Sequence, residues 1–125
     1  MIHAWLLEDL PQGRVRILTQ ESQKGQPAKL YDCPVDAALS VFGGKYKAII
    51  LHHLLDGALR FGELRRLIPQ ASHKVLIQHL RELDRDGIIH REVYPVTPPK
   101  TEYSLTDFGR TLTPILAAIC TWGLF

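Results

Sequence analysis

Ser72, His73, Lys74, Gln78 and Arg81 lie within ten consecutive residues, and each side chain ends in a hydrogen-bond donor or a cation. A glutamine amide offers a donor beside an acceptor and matches the major-groove edge of adenine. Lysine and arginine suit the paired acceptors of guanine, and a good pair gives roughly 1–3 kcal/mol of discrimination. This set is suited to reading nucleotide edges rather than to turnover. An ordinary solvated helix face uses the same residue types, so the spacing alone leaves both readings open. Arg65 and Arg66 upstream, with Lys45 and Lys47, are candidates for phosphate contacts, as are Lys100 and Arg91 downstream. Surface solubility accounts for such cations equally well. Arg60 precedes a helix start and can pair with Glu63.

The second reactive type is cysteine, present as Cys33 and Cys120. Pro34 follows Cys33, which places the thiol near a helix N-cap, where the dipole stabilises a thiolate. Asp32 and Asp36 oppose that shift. A free cysteine is also a small packing residue, and Cys120, in an apolar run, reads as core or interface. The two cysteines form no CxxC pair and suit a reducing cytoplasm. His52 and His53 are adjacent and point to different sides of a helix, while His73 and His79 do not share a face well. No metal and no cofactor is expected. A nucleophile elbow, a P-loop and a dinucleotide fingerprint are all missing from the sequence, so no enzyme is expected.

The 125 residues suit one domain, and 46% hydrophobic with 22% charged residues describes ordinary globular composition. Net charge is only +2, and from residue 31 onward eleven basic residues face ten acidic ones. A nucleic-acid partner would therefore have to meet a local patch, with "ELDRD" at 82–86 turned away from it. The start "MIHAWLLEDLPQG" has no basic lead, so no signal peptide is expected, and no apolar run is long enough for a membrane span.

The elements that must hold these residues follow from periodicity and punctuation. Residues 1–30 read as an N-terminal extension, with "RVRILTQ" strand-like and the polar "ESQKGQPAK" a linker. "PVDAALSVF" stops at Gly43-Gly44 and predicts a first helix with Val35, Ala38, Leu39 and Phe42 as its apolar set. "KYKAIILHHLLDG" predicts a second, with Ile49, Ile50, Leu54 and Leu55 inward, and "RFGELRRLIP" a short third, closed by Pro69. Ser72 caps a fourth helix that runs to Gly87, about 22 Å long, with an apolar face at Val75, Leu76, Leu80 and Leu83. Beyond Gly87 the period changes to two in "IIHREVY" and "KTEYSL", joined by the stiff "PVTPP", where Pro95, Pro98 and Pro99 limit the entropy lost on docking. Thr106 caps a last helix that is almost wholly apolar from Leu112 and must be covered by something.

Four helices, a hairpin and a closing helix give an α+β, mostly helical fold in the order of a winged helix-turn-helix. Residues 72–86 occupy the place of the recognition helix, and "REVYPVTPPKTEYSL" makes a two-stranded wing. The motifs "CPVDAALSVFGGKYKAIIL", "RFGELRRLIPQASHKVLIQHLRELDRDGII", "REVYPVTPPKTEYSLTDFGRTL" and Trp122 resemble the HxlR family of MarR-like transcriptional regulators, with Tyr46 where that family usually has tryptophan.

The resemblance implies a homodimer on a pseudo-palindromic operator in double-stranded DNA, its two recognition helices about 34 Å apart. Ser72, His73, Lys74, Gln78, Arg81, Arg65, Arg66 and Lys100 would make the DNA contacts. A C-terminal helix carrying Ile115, Leu116, Ile119 and Trp122 would form the dimer interface and pack on the first helix. The resemblance also implies that Cys33 senses an oxidant or a small electrophile. The alternative is a winged helix used for protein–protein contact without DNA.

Overall fold

The computed structural model describes residues 5–6, 15–17, 30–31 and 33–125. The linker reading of "ESQKGQPAK" lies outside the described residues. Three short strands come first: β1 (Trp5–Leu6), β2 (Val15–Ile17) and β3 (Leu30–Tyr31). They form an antiparallel sheet in that order, with Leu6 opposite Arg16 and Val15 opposite Tyr31. The strand-like reading of "RVRILTQ" thus corresponds to β2, and β2 and β3 lie against the first helix.

That helix, α1 (Pro34–Phe42), starts at Cys33 in extended conformation, with proline in its first turn. Its apolar side differs from the expected one. Ala37, Val41 and Phe42 are buried, whereas Val35 and Leu39 are exposed at 64% and 54%. The helix is rolled so that the i, i+4 pair Ala37–Val41 meets the core, a choice that periodicity alone does not make when six of nine residues are apolar on two overlapping stripes. Gly44, at φ 87°, turns the chain into α2 (Lys45–Leu54), which buries Ile50, Leu51 and Leu54.

A two-residue strand, β4 (Leu59–Arg60), leads into α3 (Phe61–Leu67). There the Arg60 backbone N–H donates to Glu63 Oε1 at 2.8 Å, which satisfies a donor at the helix start. Ile68 leaves the helical region before Pro69, as expected for a residue preceding proline. Helix α4 (His73–Arg85) buries Leu76, Leu80 and Leu83. It closes on a Schellman arrangement: Ile88 N–H donates to Leu83 O at 2.9 Å and Gly87 N–H to Asp84 O at 3.0 Å. Gly87, at φ 75°, supplies the left-handed residue that this ending requires.

Strands β5 (Ile89–Tyr94) and β6 (Lys100–Leu105) form the wing, from Ile89 opposite Leu105 to Tyr94 opposite Lys100. The expected pair gains a third strand, because β4 adds to the other edge of β6 with Leu59 opposite Tyr103. This ties α3 and the wing into one sheet order, β4-β6-β5.

The single closing helix expected after Thr106 is two helices, α5 (Asp107–Arg110) and α6 (Thr113–Gly123). Thr106 caps the first by accepting from Gly109 N–H at 3.0 Å. Pro114 has no N–H to return to the Arg110 carbonyl, so the helix cannot run through. The Thr113 hydroxyl takes that carbonyl instead at 2.7 Å. Helix α6 packs on α2; the sequence expectation had placed it on the first helix. Leu112 and Leu116 join the common core with the leucines of α4 and with Ile88, Ile89 and Leu105.

Candidate nucleic-acid interface

Helix α4 is locked on one side and open on the other. With Leu76, Leu80 and Leu83 essentially inaccessible, the helix cannot rotate without emptying the core. Ser72, His73, Lys74, Gln78 and Arg81 all lie exposed on its remaining surface. Ser72 Oγ accepts from Val75 N–H at 3.1 Å, so the first turn is a formed, capped terminus.

Packing with α3 adds a further restraint. The His73 ring stands edge-on to Phe61, with centroids 5.1 Å apart and an interplanar angle of 70°. The turn before α4 is held from below, where the Tyr46 hydroxyl donates to the Gln70 carbonyl at 3.3 Å. A tryptophan indole at position 46 would offer an N–H from a different place on a larger ring.

A groove of about 500 Å³ runs between α4 and the wing, lined by His73, Ile77, Arg81, Asp84, Arg91 and Tyr103 among others. It brings together three residues that the sequence treats separately: Arg81 on α4, Arg91 on β5 and Asp84. The expectation that 82–86 turns away from the polar face therefore needs correcting at Asp84, which is three residues from Arg81, and at Glu82, which is four residues from Gln78 and bonded to it. Leu83 points into the core as expected.

The remaining cations divide into open and engaged. Arg65 and Arg66 are exposed on α3, and Arg66 shares a shallow surface with Arg60, Glu63 and Glu102. Lys100 is engaged within the wing. Its Nζ lies 4.8 Å from the centre of the Tyr94 ring and 3.9 Å from Glu102 Oε2. The Tyr94 hydroxyl donates to Glu102 Oε1 at 3.3 Å, and the Glu102 charge, followed by desolvation, raises the phenol above its ordinary value. Lys45 lies near its neighbour's ring, 5.6 Å from the Tyr46 centroid.

Lys47, grouped with the phosphate candidates by its charge, is otherwise placed. Its side chain is only 12% exposed, and Nζ pairs with Glu82 Oε1 at 2.9 Å. Packing of α2 on α4 buries its stem and supplies the acid. Gln78 Nε2 donates to the other oxygen of the same carboxylate, Oε2, at 3.0 Å.

Across this order of elements, residues 41–124 match the family model described as HxlR-like helix-turn-helix. The chain belongs to that family. The HTH-type transcriptional regulator YdeP of Bacillus subtilis (strain 168), itself uncharacterized, is 55% identical over 91 residues, spanning 73% of this chain and 71% of YdeP. The oxidized form of the redox regulator HypR is 54% identical with a TM-score of 0.71, covering 73% of this chain and 94% of HypR. The reduced form of the transcriptional regulator YodB from B. subtilis is 37% identical with a TM-score of 0.64, covering 72% and 90%. This HxlR-like chain is a transcriptional regulator with a winged helix-turn-helix domain. Among its described residues no helix is long and apolar enough to cross a membrane.

The two remaining groups of candidate residues lie at the start of α1 and on α6. Cys33 is exposed at the N-cap of α1. Cys120 is also exposed, which removes the core half of its core-or-interface reading. On α6, Ile115, Ile119 and Trp122 are exposed, but Leu116 is 3% exposed and packs into the core of its own chain. Leu116 is thereby removed from any surface offered to a partner, because it lies on the side of α6 that meets α2. Pro114 and Ala118 complete the outward apolar surface with Ile115, Ile119 and Trp122.

Proposed function

We propose that the protein is a homodimeric regulator that binds a pseudo-palindromic operator in double-stranded DNA through the N-terminal half of α4. The observation that carries this reading is the open, capped end of that helix. Ser72, His73, Lys74 and Gln78 face solvent there, and Arg81 does so about one turn further on, while three leucines hold the rod in place. Lys74 and Arg81 supply the cations for base edges or phosphate, Arg65 and Arg66 phosphate contacts from α3, and Lys100 and Arg91 contacts from the wing. The apolar outer surface of α6, with Ile115, Ile119 and Trp122, is covered by a second copy, which sets the two α4 helices one turn of DNA apart.

The test is duplex binding at increasing salt. Affinity should fall steeply, and Lys74→Ala with Arg81→Ala should weaken binding and reduce the slope by about one unit for each phosphate contact removed. Absent or salt-insensitive binding overturns the proposal in favour of a winged helix that meets only proteins.

Cys33 is proposed as the sensor of an oxidant or electrophile. The support is its exposure at a helix N-cap and the likeness to HypR, a protein described as a redox regulator. A two-electron oxidant takes the thiolate to a sulfenic acid, and an electrophile alkylates it. Treatment should change operator affinity in the parent chain and leave Cys33→Ser unchanged. An equal response in both removes Cys33 from the role.

A further inference from the structure

We propose that Lys47 is a positioning residue for base readout, acting on Gln78 through the carboxylate of Glu82; the inference rests on the reading of α4 as the DNA-contacting helix. The terminal torsion of a glutamine is broad, so a solvated amide presents its oxygen or its nitrogen in either direction. Gln78 lacks that freedom. Glu82 is one turn further along α4, on the same face. An ionised carboxylate only accepts, so the amide must turn its nitrogen towards it, and Nε2 donates to Oε2 at 3.0 Å. The Gln78 carbonyl and its second N–H are then left pointing outward as an ordered acceptor–donor pair. That pair is complementary to the N6 amino group and N7 of adenine.

The carboxylate is itself held from a different helix. Lys47 on α2 reaches Glu82 Oε1 at 2.9 Å, so each carboxylate oxygen has its own partner. With only 12% of its side chain exposed, Lys47 has little freedom to move with the surface. The Gln78 amide first, and then Lys47, hold the Glu82 carboxyl below its ordinary value, which keeps it an acceptor. The ammonium also offsets a negative charge that would otherwise stand close to phosphate. Removing Lys47 releases Glu82 to rotate, and Gln78 regains both amide orientations. A merely structural ion pair at this place would change stability on removal and have no bearing on which base is preferred.

The test selects bound duplexes from a randomised pool with the full chain. The parent protein defines the base preferences, and Gln78→Ala identifies the position that Gln78 reads. Lys47→Met, which keeps the aliphatic stem, should relax preference at that same position by roughly tenfold, on the scale of one good pair. The salt slope should stay unchanged, because no phosphate contact is lost. In a Gln78→Ala background, Lys47→Met should have no further effect. Should Lys47→Met fail to fold, Glu82→Gln carries the same test by removing the obligate acceptor.

Retained preference in these variants overturns the proposal. So does a slope reduced by about one unit with preference intact, which would make Lys47 a phosphate contact. A Gln78→Ala variant with unaltered preferences overturns it as well. Failure of the parent chain to bind any duplex overturns instead the underlying reading of α4.

Discussion

Helices α4 and α6 are of similar length, 13 and 11 residues, and both present one side to the core and one to water. Their outer sides are opposite in character. On α4 the buried leucines leave outside a surface of cations, an amide and a hydroxyl, which water tolerates without a partner. On α6 the buried residue is Leu116, and Ile119 and Trp122 stay 48% and 77% exposed. On the proposed reading, this apolar surface is where the second copy sits. One helix is finished as a surface and free to meet a polar ligand, and the other is finished only when something apolar covers it.

Three substitutions break or sharpen this contrast. The largest effect is expected inside α4, where Leu80→Ala should cost about 2–5 kcal/mol in a denaturant melt, through lost transfer energy and a residual cavity. An effect below about 1 kcal/mol would show that α4 is not held by its leucines.

On the outside of α6, Ile119→Asp should leave the protomer folded and convert a dimer to a monomer in light scattering. Operator affinity should drop on the order of 100-fold as bivalent engagement is lost. A dimer that persists would place the interface elsewhere. The smallest change is Ser72→Ala, which removes the cap of α4 and should lower stability by about 1 kcal/mol. Its effect on operator affinity should be modest and its effect on oligomeric state nil. A change in oligomeric state would contradict the separation of the two helices.

Much of this architecture is legible in the chain before folding. The stop at Pro69, the cap at Ser72, the leucine spacing of α4 and the change of period after Gly87 are local signals, and the structure contains each of them. The misread parts are those for which local signals compete or are too short. The break at Pro114 is masked by the apolar run that follows it, although a proline four residues after Arg110 already denies that carbonyl its partner. Strand β4 has only two residues and exists because β6 offers an edge to pair with. On α1, two overlapping apolar stripes are present in the sequence, and packing selects the one through Ala37 and Val41.

What the sequence determined by itself is therefore the order of the longer elements from α1 to β6 and the side of α4 that faces inward, because caps, breakers and periodicity act within a turn or two of the backbone. Only the tertiary structure decided the use of each polar or apolar residue. Lys47 and Glu82 are 35 positions apart and meet because α2 packs on α4. Leu116 and Ile119 are both aliphatic and three residues apart, yet one is core and the other surface. A side chain's partner depends on which helix packs against its own, and that follows from burial of the whole core rather than from neighbours in the chain.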